Sequence, residues 1–375
     1  MKQFLSLLTF LSICLYSCAQ QEPSEISAET PVKVNYVTQV VVPELNIPWG
    51  MEFLPEGSIL ITEKTGTLIH FKDGKKTEID GLPEIYLRGQ GGLMDIKLHP
   101  DYNNNGWIYF SYASSEGEGD GGNTAIMRAK LNENTLTNIE HLYKGATNTK
   151  KGQHFGSRIE FDKAGYLYFS IGDRGNRDVN PQDITRDGGK IYRLHADGSV
   201  PEDNPFVGET DAKQAIFSYG HRNPQGMVMH PTTGEIWVNE HGPKGGDEIN
   251  IISKGKNFGW PVISYGINYS GTPFTEITEK EGMEQPLFYW VPSIAPSGMA
   301  FPYSEKYPDW KNSVLVGSLK FQYLERLIIE DHKVIKREKL FEGLGRFRNI
   351  KLAPDGYLYA GVEGVGIVKI IPDSF

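Results

Sequence analysis

Cysteine is almost missing from this chain of 375 residues, and its two cysteines, Cys14 and Cys18, both lie close to the N-terminus. The rest of the chain therefore has no disulfide framework, no thiolate metal site and no dithiol redox pair. Positive charge is also in deficit: 38 Lys and Arg face 47 Asp and Glu, a net charge of −9. Phosphate backbones are gripped by clustered cations, so no nucleic-acid partner is expected. No helical period runs through the body, which argues against a Rossmann fold of alternating strands and helices. A Gly-x-Gly-x-x-Gly does occur at Gly117, Gly119 and Gly122. Glu118 and Asp120 inside it would repel a pyrophosphate, and the strand-like TAIMRAKL that follows offers no helix N-terminus. Serine-nucleophile and zincin spacings are missing as well.

What is abundant is glycine (42), proline (22) and the pair tyrosine and phenylalanine (19 and 18). That mixture suits many short strands joined by tight turns. The first residues read as an export signal. Lys2 precedes an apolar stretch too short to be a comfortable membrane span, and Leu15-Tyr16-Ser17-Cys18 resembles a bacterial lipobox. The expectation is a lipoprotein signal over 1–18, a polar acidic tether over 19–35 and one domain over 36–375. Membrane contact would run only through a lipid on Cys18. The mature protein would be exported, as an outer-membrane lipoprotein facing the periplasm or the cell surface.

The body repeats. ILITE at Ile59, IYFSY at Ile108, LYFSI at Leu167, IWVNE at Ile236, VLVGS at Val314 and LYAGV at Leu358 share one β-branched and aromatic pattern. A second strand-like stretch precedes each: GMEFLP, DIKLHP, RIEFD, GMVMHP, GMAFP and NIKLAP. Turn signals such as PEG, DKAG, PTTG and PDG join most pairs. Six hairpins at blade-like spacing predict an all-β fold, a six-bladed β-propeller. Irregular spacing places long insertions around 113–123, 174–215 and 261–297.

In an antiparallel hairpin, the start of the first strand and the end of the second lie at the same end. Gln90, His154, Arg222, Asn223, Arg346 and Arg348 precede first strands. Asp173, Glu240, His241, Gly242, Pro243 and Lys320 follow second strands. Residues far apart in sequence are thus expected on one face around the propeller axis. Arg222, Lys320, Arg346 and Arg348 would gather there in an acidic protein, a setting suited to a compact polyanion. A histidine beside an aspartate offers a general base with an orienting partner.

These stretches resemble the soluble PQQ-dependent glucose and aldose sugar dehydrogenases, the glucose/sorbosone dehydrogenase family, and most nearly its aldose sugar dehydrogenase branch. The resemblance rests on GQGGLMDIKLHPDYNNNGWIYFSY, GQHFGSRIEFD, YFSIGDRGNR, SYGHRNPQGMVMHPTTGEIWVNEHGPKGGDEINII, GKNFGWPVISYGINYSG, PSIAPSGMAFP and GRFRNIKLAPDGYLYAG. It implies oxidation of aldoses at C1 to lactones with pyrroloquinoline quinone (PQQ) and Ca²⁺, electrons passing to an external acceptor. By the same resemblance His154 is the base, Asp173 orients it, and Arg222 stands near the quinone oxygen that becomes negative. Gln90, Arg222, Asn223, Tyr269, Lys320, Arg346 and Arg348 hold the cofactor. Backbone carbonyls of Gly242 and Pro243 hold the catalytic Ca²⁺. Glu248 and the carbonyl of Phe258, where a tyrosine is frequent, hold a structural one. The partners expected are a small sugar and an electron acceptor, with the protein a monomer or homodimer. The segment TRDGGKIYRL, with Arg186 and Asp187, receives no role. Two rival readings are a propeller lactone hydrolase with one axial metal, which has no need of the cations, and a non-catalytic binding propeller.

Overall fold

Each of the six recurring pentapeptides becomes a strand buried along its whole length. A strand in the middle of a blade is covered on both faces, so its sequence runs continuously apolar instead of alternating. Tyr109 and Phe110 show the geometry: Phe110 packs with Leu60 and Leu68 of the preceding blade, whereas Tyr109 packs with Ile159 and Phe169 of the next. The same division recurs around the molecule, giving one apolar cluster between each pair of neighbouring blades.

In this computed structural model, which describes residues 36–373, the strands form six four-stranded antiparallel sheets. The six predicted hairpins are all present. Their equivalent pairs are Met51–Ile61, Ile96–Phe110, Ile159–Phe169, Met227–Val238, Met299–Val316 and Ile350–Ala360. The first strand of each sheet is innermost, and these six contact one another in a closed ring, with Phe347–Leu352 meeting Pro48–Phe53. The protein is a six-bladed β-propeller. Its blades, numbered in chain order, start at Pro48, Leu93, Ile159, Pro224, Pro296 and Phe347.

Tyr36–Pro43 supplies the outermost strand of the sixth blade, pairing with Gly366–Pro372. Joining the two ends of the chain in one sheet ties the ring shut where it would otherwise split. The stretch after Gly122 is the strand Asn123–Asn132, as its sequence predicts, with no helix for a phosphate to cap. The insertion at 174–215 contains the third strand of its blade, Lys190–Leu194, and that at 261–297 contains Phe288–Trp290. Among the described residues no helix is long and apolar enough to cross a membrane. The signal and tether assigned to 1–35 lie outside the described residues.

Candidate active site

The loops that start first strands and end second strands meet at one end of the axis. There a chamber of about 400 Å³ is lined by Gln90 and Lys64, by Phe155 and Gly156, by His241, and by Arg346, Arg348 and Glu363. Two of its lining residues, Trp49 and Gln225, are backed by an ion pair outside the lining: Arg158 bonds Asp95 at 3.0 Å, lies 4.2 Å from the Trp49 ring centre, and donates to the carbonyl of Gln225.

His154 directly precedes the lining residues Phe155 and Gly156 and is not itself in the lining. Its N–H donates to Gln90 Oε1 at 2.7 Å, which joins the second and third blades. Its ring meets Asp173 through Nδ1 and Oδ1 at 2.6 Å. Asp173 is buried, and Gly175 N–H (2.7 Å) and Trp260 Nε1–H (3.0 Å) also donate to its carboxylate. Burial would raise the Asp173 pKa, but the hydrogen bond from His154 and the charge of Arg222 hold it below the usual carboxylate range. The ionised carboxylate accepts, so Nδ1 carries the proton and Nε2 presents a lone pair. Burial lowers the His154 pKa below its ordinary 6.5; the bond to Asp173 opposes this and the charge of Arg222 adds to it. The imidazole is therefore neutral at pH 7 and able to take a proton.

Close backbone approach makes this dyad possible. A Cβ on Gly172 would lie 2.5 Å from the His154 carbonyl and 2.7 Å from Asn223 Oδ1. His154 (φ 59°) and Arg174 (φ 55°) both hold left-handed backbone, which costs roughly 1–2 kcal/mol each. Arg174 offsets some of that cost. Its buried guanidinium lies 3.5 Å from the Phe155 ring centre and donates to the carbonyls of Gly122, Lys151 and Gln153.

Several predicted residues converge and others stand apart. Arg222 Nη1 bonds the His241 carbonyl at 2.9 Å and its guanidinium lies 5.4 Å from the Trp260 ring centre. Asn223 is buried; its Oδ1 accepts from Gly156 N–H, and its Nδ2 has no partner. Arg346 and Arg348 line the chamber, but they share a carboxylate that the sequence reading passed over. Glu363 accepts from Arg346 Nε at 2.6 Å and from Arg348 Nε at 2.9 Å. Lys64 was passed over too; burial first, then Arg348, lowers its pKa. Both missed residues directly follow a second strand, ILITE-Lys64 and LYAGV-Glu363, the position that singled out His241. Trp260 and Arg174 gave no such positional signal.

Lys320 N–H bonds the Ile294 carbonyl and its neighbour Leu319 lines the chamber. The Lys320 ammonium, however, lies over the Phe321 ring at 4.9 Å, outside the lining. Tyr269 is 74% exposed and also outside it; the adjacent Asn268 is tied to Arg177 at 3.0 Å. Gly242 directly follows His241, and its N–H donates to Asp247 at 2.8 Å. Gly242, Glu248, Phe258 and Glu240 line a small space of about 10 Å³ that shares His241 with the chamber. Burial and then the neighbouring Glu240 raise the Glu248 pKa, and Asn250 Oδ1 beside them has no partner. Two carboxylates pressed together around unmet acceptor oxygen make a donor set suited to a hard cation.

A carboxylate-oriented histidine that can accept a proton and a chamber lined by an arginine pair lie together at one end of the propeller axis. A family model described as Glucose / Sorbosone dehydrogenase matches residues 45–368, and the chain belongs to that family. It is 39% identical over 355 residues to aldose sugar dehydrogenase YliI of Escherichia coli, covering 92% of each protein. The structure is similar to the crystal structure of the soluble aldose sugar dehydrogenase from Escherichia coli in the apo-form. The TM-score is 0.85 at 38% identity, over 90% of this chain and 99% of the other. The PQQ-bound form of aldose sugar dehydrogenase from Streptomyces coelicolor aligns with a TM-score of 0.73 at 27% identity, over 91% and 99% of the two chains. The protein is an oxidoreductase of this family.

Proposed function

We propose that this protein oxidises aldose sugars at C1 to lactones, with PQQ in the axial chamber and Ca²⁺ beside it. The observation that carries the reading is the neutral, Asp173-oriented His154, bonded through its N–H to Gln90 of a chamber lined by an arginine pair. The residues present fit the cofactor. Lys64, Arg346 and Arg348 against Glu363 leave two net positive charges in the lining, and Arg222 stands next to it. Asn223 Nδ2 is a buried donor still lacking an acceptor. Gln90, Arg222, Asn223, Arg346 and Arg348 would hold the tricarboxylic quinone, and Tyr269 and Lys320 would join them only by leaving the positions they hold here. Gly242 and Pro243 carbonyls would hold the catalytic Ca²⁺, and Glu248 with the Phe258 carbonyl a structural one. The PQQ-bound relative supports PQQ as the cofactor.

When bound, PQQ supplies the two-electron acceptor and Ca²⁺ a Lewis acid beside it. The protein's own part is acid–base and electrostatic. Nε2 of His154 takes the proton of the C1 hydroxyl, and Asp173 stabilises the imidazolium that forms. Arg222 supplies fixed positive charge where negative charge develops.

Apo-protein titrated with PQQ in the presence of Ca²⁺ should show a saturable change in quinone absorbance. The complex should then reduce a dye with aldoses as donors, and neither PQQ nor Ca²⁺ alone should give activity. Sugar oxidation without PQQ, or no binding at all, would defeat the reading. The reaction also has a definite pH dependence. His154 works as a base only when neutral, and its pKa lies below 6.5. In a pH–rate series, kcat/KM should be level from pH 7 upward and fall tenfold per unit once the pH drops below that pKa. A fall beginning above pH 7 would assign the base to another group.

A further inference from the structure

Lys190 belongs to the RDGGK stretch that sequence reasoning left without a role. Its side chain is fully buried and has no carboxylate within ion-pair distance among the described residues. Its ammonium donates to two backbone carbonyls, Asn180 O at 2.6 Å and Gly188 O at 2.7 Å. Burial lowers its pKa to about 7, opposed by the more distant charges of Asp187, Asp183 and Asp173. A buried lysine held only by carbonyls is a poor device for stability; a methionine of similar reach would avoid the desolvation cost.

Its location suggests another purpose. Lys190 pairs in register with Ile171, two residues before Asp173. One of the carbonyls it holds belongs to Asn180, and Asn180 Nδ2 donates to the carbonyl of Asp173 at 3.0 Å. The chain of contacts runs from the Lys190 ammonium through Asn180 to the Asp173 backbone, and through the Asp173 carboxylate to His154 Nδ1.

We infer that Lys190 is a positioning residue for the His154–Asp173 dyad, acting through Asn180 and the turn that follows Asp173. The inference rests on the proposed reaction for its kinetic consequence, but its structural consequence can be read in the apo-protein. In Lys190→Met, kcat should fall about tenfold with KM little changed, the scale seen when a group that orients a catalytic ligand is lost. In the same apo-protein, the His154 Nδ1–H proton, observed by NMR, should exchange with water several-fold faster than in the parent. Asn180→Ala, a partly exposed site that leaves no buried charge behind, should reproduce both effects if Lys190→Met does not fold. Lys190→Arg should restore part of kcat.

An unchanged Nδ1–H exchange rate in both variants would overturn the inference, whatever the activity. So would a loss of thermal stability with kcat intact. Failure of the PQQ titration would remove the proposed reaction instead, and would leave the NMR result standing by itself.

Discussion

Replacing His154 with alanine is expected to lower kcat by ~10²–10⁴-fold, the range for losing a positioned general base. Cofactor binding should survive, because the chamber wall beside His154 is made by Phe155 and Gly156. His154 also holds left-handed backbone, so alanine there keeps the strain and removes only the ring. The measurements are single-turnover kinetics and an absorbance titration with PQQ and Ca²⁺ on the same preparation. A variant that binds cofactor and still turns over at the parent rate would take the base role away from His154. Asp173 makes the result interpretable. Its carboxylate accepts from three donors, His154, Gly175 and Trp260, so it stays fixed when one of them is lost.

Arg346→Ala and Glu363→Gln should move PQQ affinity in opposite directions. Arg346 lines the chamber and is the more exposed of the arginine pair, so its removal costs little packing. It takes away one of two net positive charges in the lining and a charge-assisted contact worth ~1.5–3 kcal/mol, or about 10- to 100-fold in Kd. Glu363 binds both arginines in the absence of ligand. Converting it to the neutral amide raises the net charge and frees donor capacity that Glu363 otherwise occupies, so Kd should fall. The two Kd values are to be compared at one ionic strength, because screening weakens such effects. Equal loss in both variants would show that Glu363 acts by holding the arginines in place, and would refute the charge argument.

The six hairpins were legible in the sequence because the strand buried on both faces leaves a continuous apolar run, repeated six times with a turn signal before it. The outer strands left no such mark. Lys75–Ile79 reads KKTEI, and Lys333–Leu340 reads KVIKREKL, because water covers much of each. The closing role of Tyr36–Pro43 was hidden for another reason: its partner lies at the far end of the chain. Blade geometry also placed His154, Asp173, Arg222, Arg346 and Arg348 on one face, since position relative to a hairpin end is a local property. The sequence by itself therefore determined the repeat, the fold class and the face that carries the chemistry. Only the tertiary structure decided what each charge meets. Glu363 sits between the arginines, Lys320 turns toward Phe321, and Trp260 and Lys190 stand behind the dyad. Local order along a chain fixes where a backbone segment ends. The partner of a side chain depends on loops from other blades, which only the closed ring brings within reach.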